Sequence, residues 1–229
     1  MSKKTCIIIP AFNEQESIGH VLSDIPREYA DNIIVVNNGS KDNTAEVAAN
    51  NGAVVINEPR MGYGSACLAG VSYALENIKP DVLVFLDADY SDFPQDIHKI
   101  LGKLTEENLE MVIGSRNLGE AEPGSLYLQA KFGNWLATFL LRLFTGYKFT
   151  DLGPFRAITV EAYGKLNMVD TNFGWTMEMQ IKASKLKMRT GEVSVRYRKR
   201  IGISKISGTI TGSFKAGYKI LYILFKYAF

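Results

Sequence analysis

Asp87-Ala88-Asp89 places two carboxylates at i and i+2, directly after the apolar run from Val82 to Leu86. Two such charges are costly to desolvate together without a counter-charge. A hard divalent cation supplies one, and Mg²⁺ is commonly held by one or two carboxylates together with substrate phosphates. The pattern predicts Mg²⁺ or Mn²⁺ joining Asp89 to a diphosphate, with Asp87 either a second ligand or the acceptor for a ribose hydroxyl. Arg156, Arg196, Arg198 and Arg200 form a group suited to phosphate, which guanidinium binds in bidentate fashion. A phosphate acceptor needs no general base, because its second pKa near ~6 leaves it ionised at neutral pH. A hydroxyl acceptor does need one, and Glu178 is then the first candidate and Asp151 the second.

These residues must be positioned by an α/β framework. The chain has 229 residues, enough for one domain with a full core. Short β-branched or apolar runs at Thr5–Ile9, Asn32–Val36, Ala53–Ile56, Val82–Leu86 and Met111–Gly114 read as buried strands. Helical patterns lie between them at Ser17–Leu22, Thr44–Asn50, Gly62–Leu75 and Ile97–Leu104. Pro10 is expected to stop the first strand, and Asp42 or Asn43 to cap the second helix. Strands alternating with helices predict an open, doubly wound, mostly parallel sheet with helices on both faces. Such sheets bind ligands beyond the carboxyl ends of their strands, and Asn13, Asn37, Asn38, Arg60, Asp87 and Asp89 all follow a strand.

Charge is unevenly spread. The formal net charge is only +2, yet from Lys182 to Phe229 twelve Lys and Arg face a single acid, Glu192. A basic tail on an acidic body suits phosphates or anionic lipid. Over Lys215–Phe229, Lys215, Lys219 and Lys226 fall on one helical face and Ile220, Leu221 and Leu224 opposite, the pattern of a helix that lies on a membrane or packs on a partner. Residues 1–210 are therefore read as the catalytic domain and 211–229 as a basic amphipathic helix. Leu126–Phe149 is rich in large apolar residues as well, but no stretch is long enough to span a bilayer, and no secretory leader is evident. Cys6 and Cys67 sit in apolar contexts and read as core thiols of a reducing compartment. His20 and His98 are isolated, so no histidine metal site is expected.

Three segments carry a resemblance. Ile8-Ile9-Pro10-Ala11-Phe12-Asn13-Glu14 resembles the opening signature of family 2 glycosyltransferases, Val35 to Thr44 resembles the second, and Phe85 to Asp89 with Pro94 resembles the metal-binding motif. The resemblance implies a GT-A fold, inversion at the anomeric carbon, and a nucleotide-sugar donor held with Mg²⁺ or Mn²⁺. It places the donor against Pro10, Ala11, Asn13, Glu14, Asn37, Asn38, Arg60, Gly62, Asp87, Ala88 and Asp89. Asp151 to Ile158 and Arg200 to Lys205 are similar to motifs of the dolichyl- and polyprenyl-phosphate sugar synthases. That similarity implies a GDP-mannose or UDP-glucose type of donor and a polyprenyl-phosphate acceptor at the cytoplasmic face of a membrane. It gives acceptor-phosphate roles to Arg156 and Arg200, with Arg116 and Lys205 as further candidates. The chain departs from that pattern in having Asn37 where many relatives have Asp, Ser91 where several have Gln, and no spanning helix.

Gly62-Tyr63-Gly64 opens a pattern like that of dinucleotide-binding loops, but Cys67 stands at its third glycine and it follows the third strand, so it reads as a helix start beside the donor. The alternatives to lipid-phosphate transfer are glycosylation of a saccharide or small-molecule hydroxyl, and a non-catalytic lipid-phosphate-binding subunit. Nucleic acid is not an expected partner, since no recognition motif accompanies the basic tail.

Overall fold

The computed structural model describes residues 3–29, 32–202 and 210–228. The first half alternates β1 (Thr5–Ala11), α1 (Ile18–Asp24), β2 (Asn32–Asn37), α2 (Thr44–Asn50), β3 (Val54–Asn57), α3 (Tyr63–Tyr73), β4 (Val82–Phe85), α4 (Ile97–Glu106) and β5 (Met111–Ser115). The second half adds α5 (Leu128–Thr145), β6 (Arg156–Thr159), α6 (Val160–Leu166), α7 (Trp175–Lys185), β7 (Thr190–Ser194) and α8 (Ile210–Ala228). The seven strands form one sheet in the order β3-β2-β1-β4-β6-β5-β7. β1 to β4 are parallel, and β6 runs against both of its neighbours. The sheet is the mostly parallel, doubly wound one that the alternation predicts.

Successive strand residues point to opposite faces, and here both faces are buried. Cys6, Ile8, Ile34, Val36, Leu83 and Phe85 belong to the core under α3, α5, α7 and α8. Ile7, Ile9, Ile33, Val35, Val82 and Val84 belong to the core under α1 and α4. This explains why the strands read as unbroken apolar runs rather than alternating ones. Gly70 lets α3 lie close: a Cβ there would sit 2.5 Å from the Ile8 side chain.

Several expectations shift. β1 continues through Pro10 to Ala11, because its pairing with β4 ends at Ile8 while pairing with β2 continues. The ring therefore displaces no ladder bond. The helix expected over residues 62–75 is α3 followed by a wider turn over Ala74–Ile78, closed by Lys79 in the left-handed region. β6, the reversed strand, is four residues opening on an arginine, which gives it little strand signal.

α8 is no detached appendage. Ile223 and Leu224 are buried and Lys219 Nζ pairs with Asp170 Oδ2 at 2.7 Å. Among the described residues no helix is long and apolar enough to cross a membrane.

Candidate active site

The carboxyl ends of β1, β2 and β4 open onto one cavity of about 350 Å³. Pro10, Ala11, Phe12 and Glu14 come from the end of β1, Asn38 from β2, and Asp87, Ala88 and Asp89 from β4. Met61, Gly62, Tyr63 and Ala66 enter from the start of α3, Asn172 and Phe173 from the loop before α7, and Arg200 from the segment after β7.

Asp89 Oδ1 accepts from the backbone N–H and hydroxyl of Ser91, at 2.9 and 2.5 Å, which fixes its rotamer. Its Oδ2 lies 3.0 Å from Arg200 Nη1, and Arg200 Nη2 donates to Glu14 Oε1 at 2.8 Å. The same guanidinium thus joins the loop after β1 to the loop after β4. Asp87 is treated differently: its Oδ1 is buried without a hydrogen-bond partner. Burial, then the charge of Asp89, pushes its carboxyl up to about 7, against the opposing pull of Arg116 and Arg200. Asn172 Oδ1 and Arg200 Nε are also buried without partners. Such orphaned groups cost about 1–3 kcal/mol each, so the cavity is incomplete by itself. Asp92, a third carboxyl close by, is sealed with both oxygens unpartnered, and burial followed by the charge of Asp87 raises its pKa well above the usual range.

A divalent cation fits this donor set. It would relieve the Asp87–Asp89 repulsion and satisfy Asp87 Oδ1. Among the described residues no group of three or more His, Cys, Asp or Glu is arranged around a metal. Two carboxylates completed by substrate phosphates is the coordination style that suits Mg²⁺.

Arg200 reaches Asp89 because its segment is laid alongside residues 89–92. Arg198 N donates to Ser91 O and Ile201 N to Asp89 O, at 2.8 and 3.0 Å. Arg198 clamps that seam: its guanidinium stacks 3.4 Å from the Tyr90 ring centroid and donates to Tyr90 O and Asp92 O. Arg196 is held by Asp96 through its backbone N–H and the Nε–Nη2 edge of its guanidinium.

Family-model and relatedness comparisons agree with this geometry. Residues 6–166 match the family described as glycosyl transferase family 2. An uncharacterized glycosyltransferase of Mycobacterium tuberculosis is 36% identical over 210 residues, which are 90% of this chain and 91% of that one. The chain belongs to glycosyl transferase family 2. A further relative, the UDP-N-acetylglucosamine–dolichyl-phosphate N-acetylglucosaminyltransferase of Methanococcus voltae, is 31% identical, covering 83% of this chain and 84% of its own. Among solved structures, glucosyl-3-phosphoglycerate synthase from Mycobacterium tuberculosis superposes with a TM-score of 0.77 at 19% identity, over 99% of this chain and 79% of that one. That likeness establishes the shared fold.

Of the residues singled out in the sequence, this glycosyltransferase brings Pro10, Ala11, Glu14, Asn38, Gly62, Asp87, Ala88, Asp89 and Arg200 to the cavity. Asn38 does so while pinning the loop after β3: its amide donates to Glu58 O and Arg60 O and accepts from Gly62 N, each at 2.8 Å. Asn13 and Asn37 brace the rim instead. Asn13 Oδ1 accepts from Lys41 N at 2.7 Å, and Asn37 Nδ2 donates to Asn57 Oδ1 at 2.8 Å. Arg60 is mostly exposed and paired with Glu58.

Four candidates for phosphate or base chemistry are placed elsewhere. Arg156 is fully buried and donates to the carbonyls of Leu152, Gly153 and Thr176; burial lowers its pKa to about 10. Arg116 forks onto Asp151 at 2.7 and 2.8 Å, which also occupies Asp151. Glu178 does not face the cavity. It is fully buried and accepts from Val169 N, Asp170 N, Lys182 Nζ and Tyr227 OH. Of the arginine cluster, only Arg200 lines the cavity among the described residues. Lys205 lies outside the described residues.

Phe12, Asn172 and Phe173 were not foreseen as lining residues, whereas Met61, Tyr63 and Ala66 belong to the helix start expected beside the donor. Gly62 and Gly64 held the signal. A Cβ on either would run into the backbone carbonyls of Thr171 and Asp170. The start of α3 therefore lies flush against residues 170–172, and Ser65 N donates to Thr171 O at 2.9 Å. The paired glycines serve this close approach.

Proposed function

We propose that this glycosyltransferase moves a hexose from a nucleotide-diphosphate sugar to a polyprenyl phosphate at a membrane surface, with inversion at the anomeric carbon. The observation that carries the proposal is Arg200 set against Asp87 and Asp89 in a cavity otherwise walled mainly by apolar side chains and backbone. One guanidinium places a phosphate, and two carboxylates place a cation. The dolichyl-phosphate acceptor named for the Methanococcus voltae relative supports the acceptor class.

In this reading Asp89 and Asp87 hold Mg²⁺ or Mn²⁺, which when bound offsets the negative charge of the departing diphosphate. Pro10, Ala11 and Asn38 shape the donor side, and the start of α3 with Phe173 closes the opposite wall. Arg200 orients the acceptor phosphate, whose oxygen forms the new bond to the anomeric carbon as the bond to the nucleoside diphosphate breaks. Alignment and charge screening are then the protein's whole task. No base need take a proton, which accords with Glu178 being engaged elsewhere.

The test is a donor panel. Purified protein is mixed with Mg²⁺ or Mn²⁺, a short polyprenyl phosphate, and GDP-mannose, UDP-glucose, UDP-galactose or UDP-N-acetylglucosamine in turn, with products read by mass spectrometry. A metal-dependent lipid-phosphate hexose is the expected result and names the donor. Donor hydrolysis to free sugar with no lipid product would overturn the acceptor assignment and point to a hydroxyl acceptor instead.

A further inference from the structure

α5 carries an exposed row of large apolar side chains: Leu128, Phe132, Trp135, Phe139 and Leu143, each between 50% and 82% exposed. Their spacing of four, three, four and four keeps them within about 80° of arc at ~100° per residue. The opposite face, Ala137, Thr138 and Leu141, is buried against the core. Trp135 stacks on Phe139 with ring centroids 5.8 Å apart, so the row is an ordered surface. α8 repeats the arrangement with Tyr218, Tyr222 and Phe225, all exposed. Phe225 packs edge-on against Phe144, on the core side of α5, so the two helices are in contact beside their exposed rows. An apolar surface this long is not ordinary for a protein that meets only water.

The charges beside it name the occupant. α5 and α8 together contain no Asp or Glu. On the helical projection Lys131 and Arg142 both border the α5 row on the side of Trp135, and Lys215 and Lys226 both border the α8 row. Aromatic and aliphatic side chains flanked by long cationic ones suit the boundary between acyl chains and anionic headgroups, where Trp and Tyr settle and Lys and Arg reach outward. A symmetric contact with a second copy would set these cations against each other with no acid to receive them. We infer that the outward faces of α5 and α8 form one surface that lies in the interface of an anionic bilayer, with the aromatic row of α5, rather than the lysines of α8, as its main contact.

The surface is tied to the catalytic end of the fold. Asn134, on the inner side of α5, donates to Thr150 O and accepts from Leu152 N, at 3.0 and 2.8 Å. Between them Asp151 holds Arg116, whose charge acts on Asp87. This inference gives the proposed lipid acceptor a site of delivery and rests on that proposal for its purpose, but its test does not.

The test is flotation of the full chain with vesicles of phosphatidylglycerol and phosphatidylcholine that contain no polyprenyl phosphate. Failure of acceptor turnover therefore leaves the result untouched, and the reverse holds as well. The chain has two tryptophans, and Trp175 is fully buried, so a blue shift of emission on vesicle addition reports Trp135. The expected result is binding with a blue shift, reduced about tenfold or more by Phe132→Ser with Phe139→Ser, and reduced less by Lys215→Glu with Lys226→Glu. Thermal unfolding of the serine variant, unchanged from the parent, excludes misfolding as the cause; Phe132→Tyr with Phe139→Tyr, which keeps an interfacial aromatic, should bind nearly as the parent does if the serine variant proves unstable. Binding that survives the serine variant and is abolished by the lysine variant would move the contact to the basic side of α8 and overturn the inference. Absence of vesicle binding, or a dimer in lipid-free solution that the serine variant dissociates, would also overturn it.

Discussion

Arg200 Nη1 lies 3.0 Å from Asp89 Oδ2, so the carboxylate best placed for a cation is already paired with a guanidinium. The pair lets two charges persist in a sheltered cavity before any substrate arrives. It also means that cation and phosphates must enter as partners for both members, since either taken alone leaves the other uncompensated.

Arg200→Ala should therefore separate two quantities. Turnover should fall by about 10²-fold or more, the scale seen when one charge-stabilising donor is removed. Binding of Mn²⁺ in the absence of nucleotide should hold or tighten, because Asp89 is released. Steady-state kinetics and calorimetric titration read the two; weaker Mn²⁺ binding would mean that Arg200 orders the carboxylates rather than competing for them.

Asp87 predicts a pH signature in the metal-free protein. A carboxyl raised to about 7 in the fold, from an ordinary value near 4, binds a proton more tightly folded than unfolded. Its contribution to stability is fully present below about pH 4 and is lost as pH rises through 7. Melting temperatures of the parent and of Asp87→Asn should thus diverge across that window, the parent losing ground as pH rises. Mn²⁺ added with nucleoside diphosphate at pH 8 should recover the loss in the parent only. Parallel melting curves would refute the assignment.

Glu178→Gln should behave as a structural lesion. Glu178 ties residues 169 and 170 to α7 and to Lys182. Loss of its charge should cost about 1.5–3 kcal/mol in chemical denaturation, while kcat of the folded variant stays within a few-fold of the parent. A collapse of kcat with unchanged stability would return Glu178 to the chemistry.

Gly64→Ala should damage stability and donor affinity together. The added methyl meets the backbone of residues 170–172, and those residues cannot retreat without moving Asn172 and Phe173 in the cavity wall. A cost of about 1–3 kcal/mol, with a raised Kd for nucleoside diphosphate, is expected. Gly133→Ala, on α5 with open space around it, serves as the control.

The parallel half of the fold was legible because each of its elements is locally complete. α2 runs from Thr44 to Asn50 as expected, with Asp42 Oδ1 accepting from Thr44 N at its start and Asn51 at its end. The position of Asp87 and Asp89 at the cavity was legible for the same reason: a strand aimed them. The engagement of Arg116, Arg196 and Arg198 was not, since the groups that hold them are remote in sequence. Arg196 looked like a phosphate ligand until Asp96, 100 residues away, was found holding it. Arg156 shares the chemistry of Arg200, but it opens a buried reversed strand whose neighbouring carbonyls absorb its donors. Glu178 was misleading for a similar reason, as its four donors come from a loop, a lysine and the far end of α8. The α5 row was visible as apolar density over Leu126–Phe149, but which of those side chains turn outward depends on packing.

The seam that carries Arg200 also bears on the order in which the enzyme comes into being. Glu14 and Arg200 are 186 residues apart, so their contact cannot form until most of the chain has been made. During synthesis the parallel half can assemble as soon as it emerges, with its paired carboxylates in place and no guanidinium beside them. If Arg200 orients the acceptor phosphate as proposed, the nascent protein is a scaffold without a working centre until residues 195–201 are laid along residues 89–92. Ribosome-bound chains in which residues 195–201 have cleared the exit tunnel should differ sharply in transferase activity from chains in which they are still inside it. Immature chains would thus be silent by construction, with no separate inhibitor required.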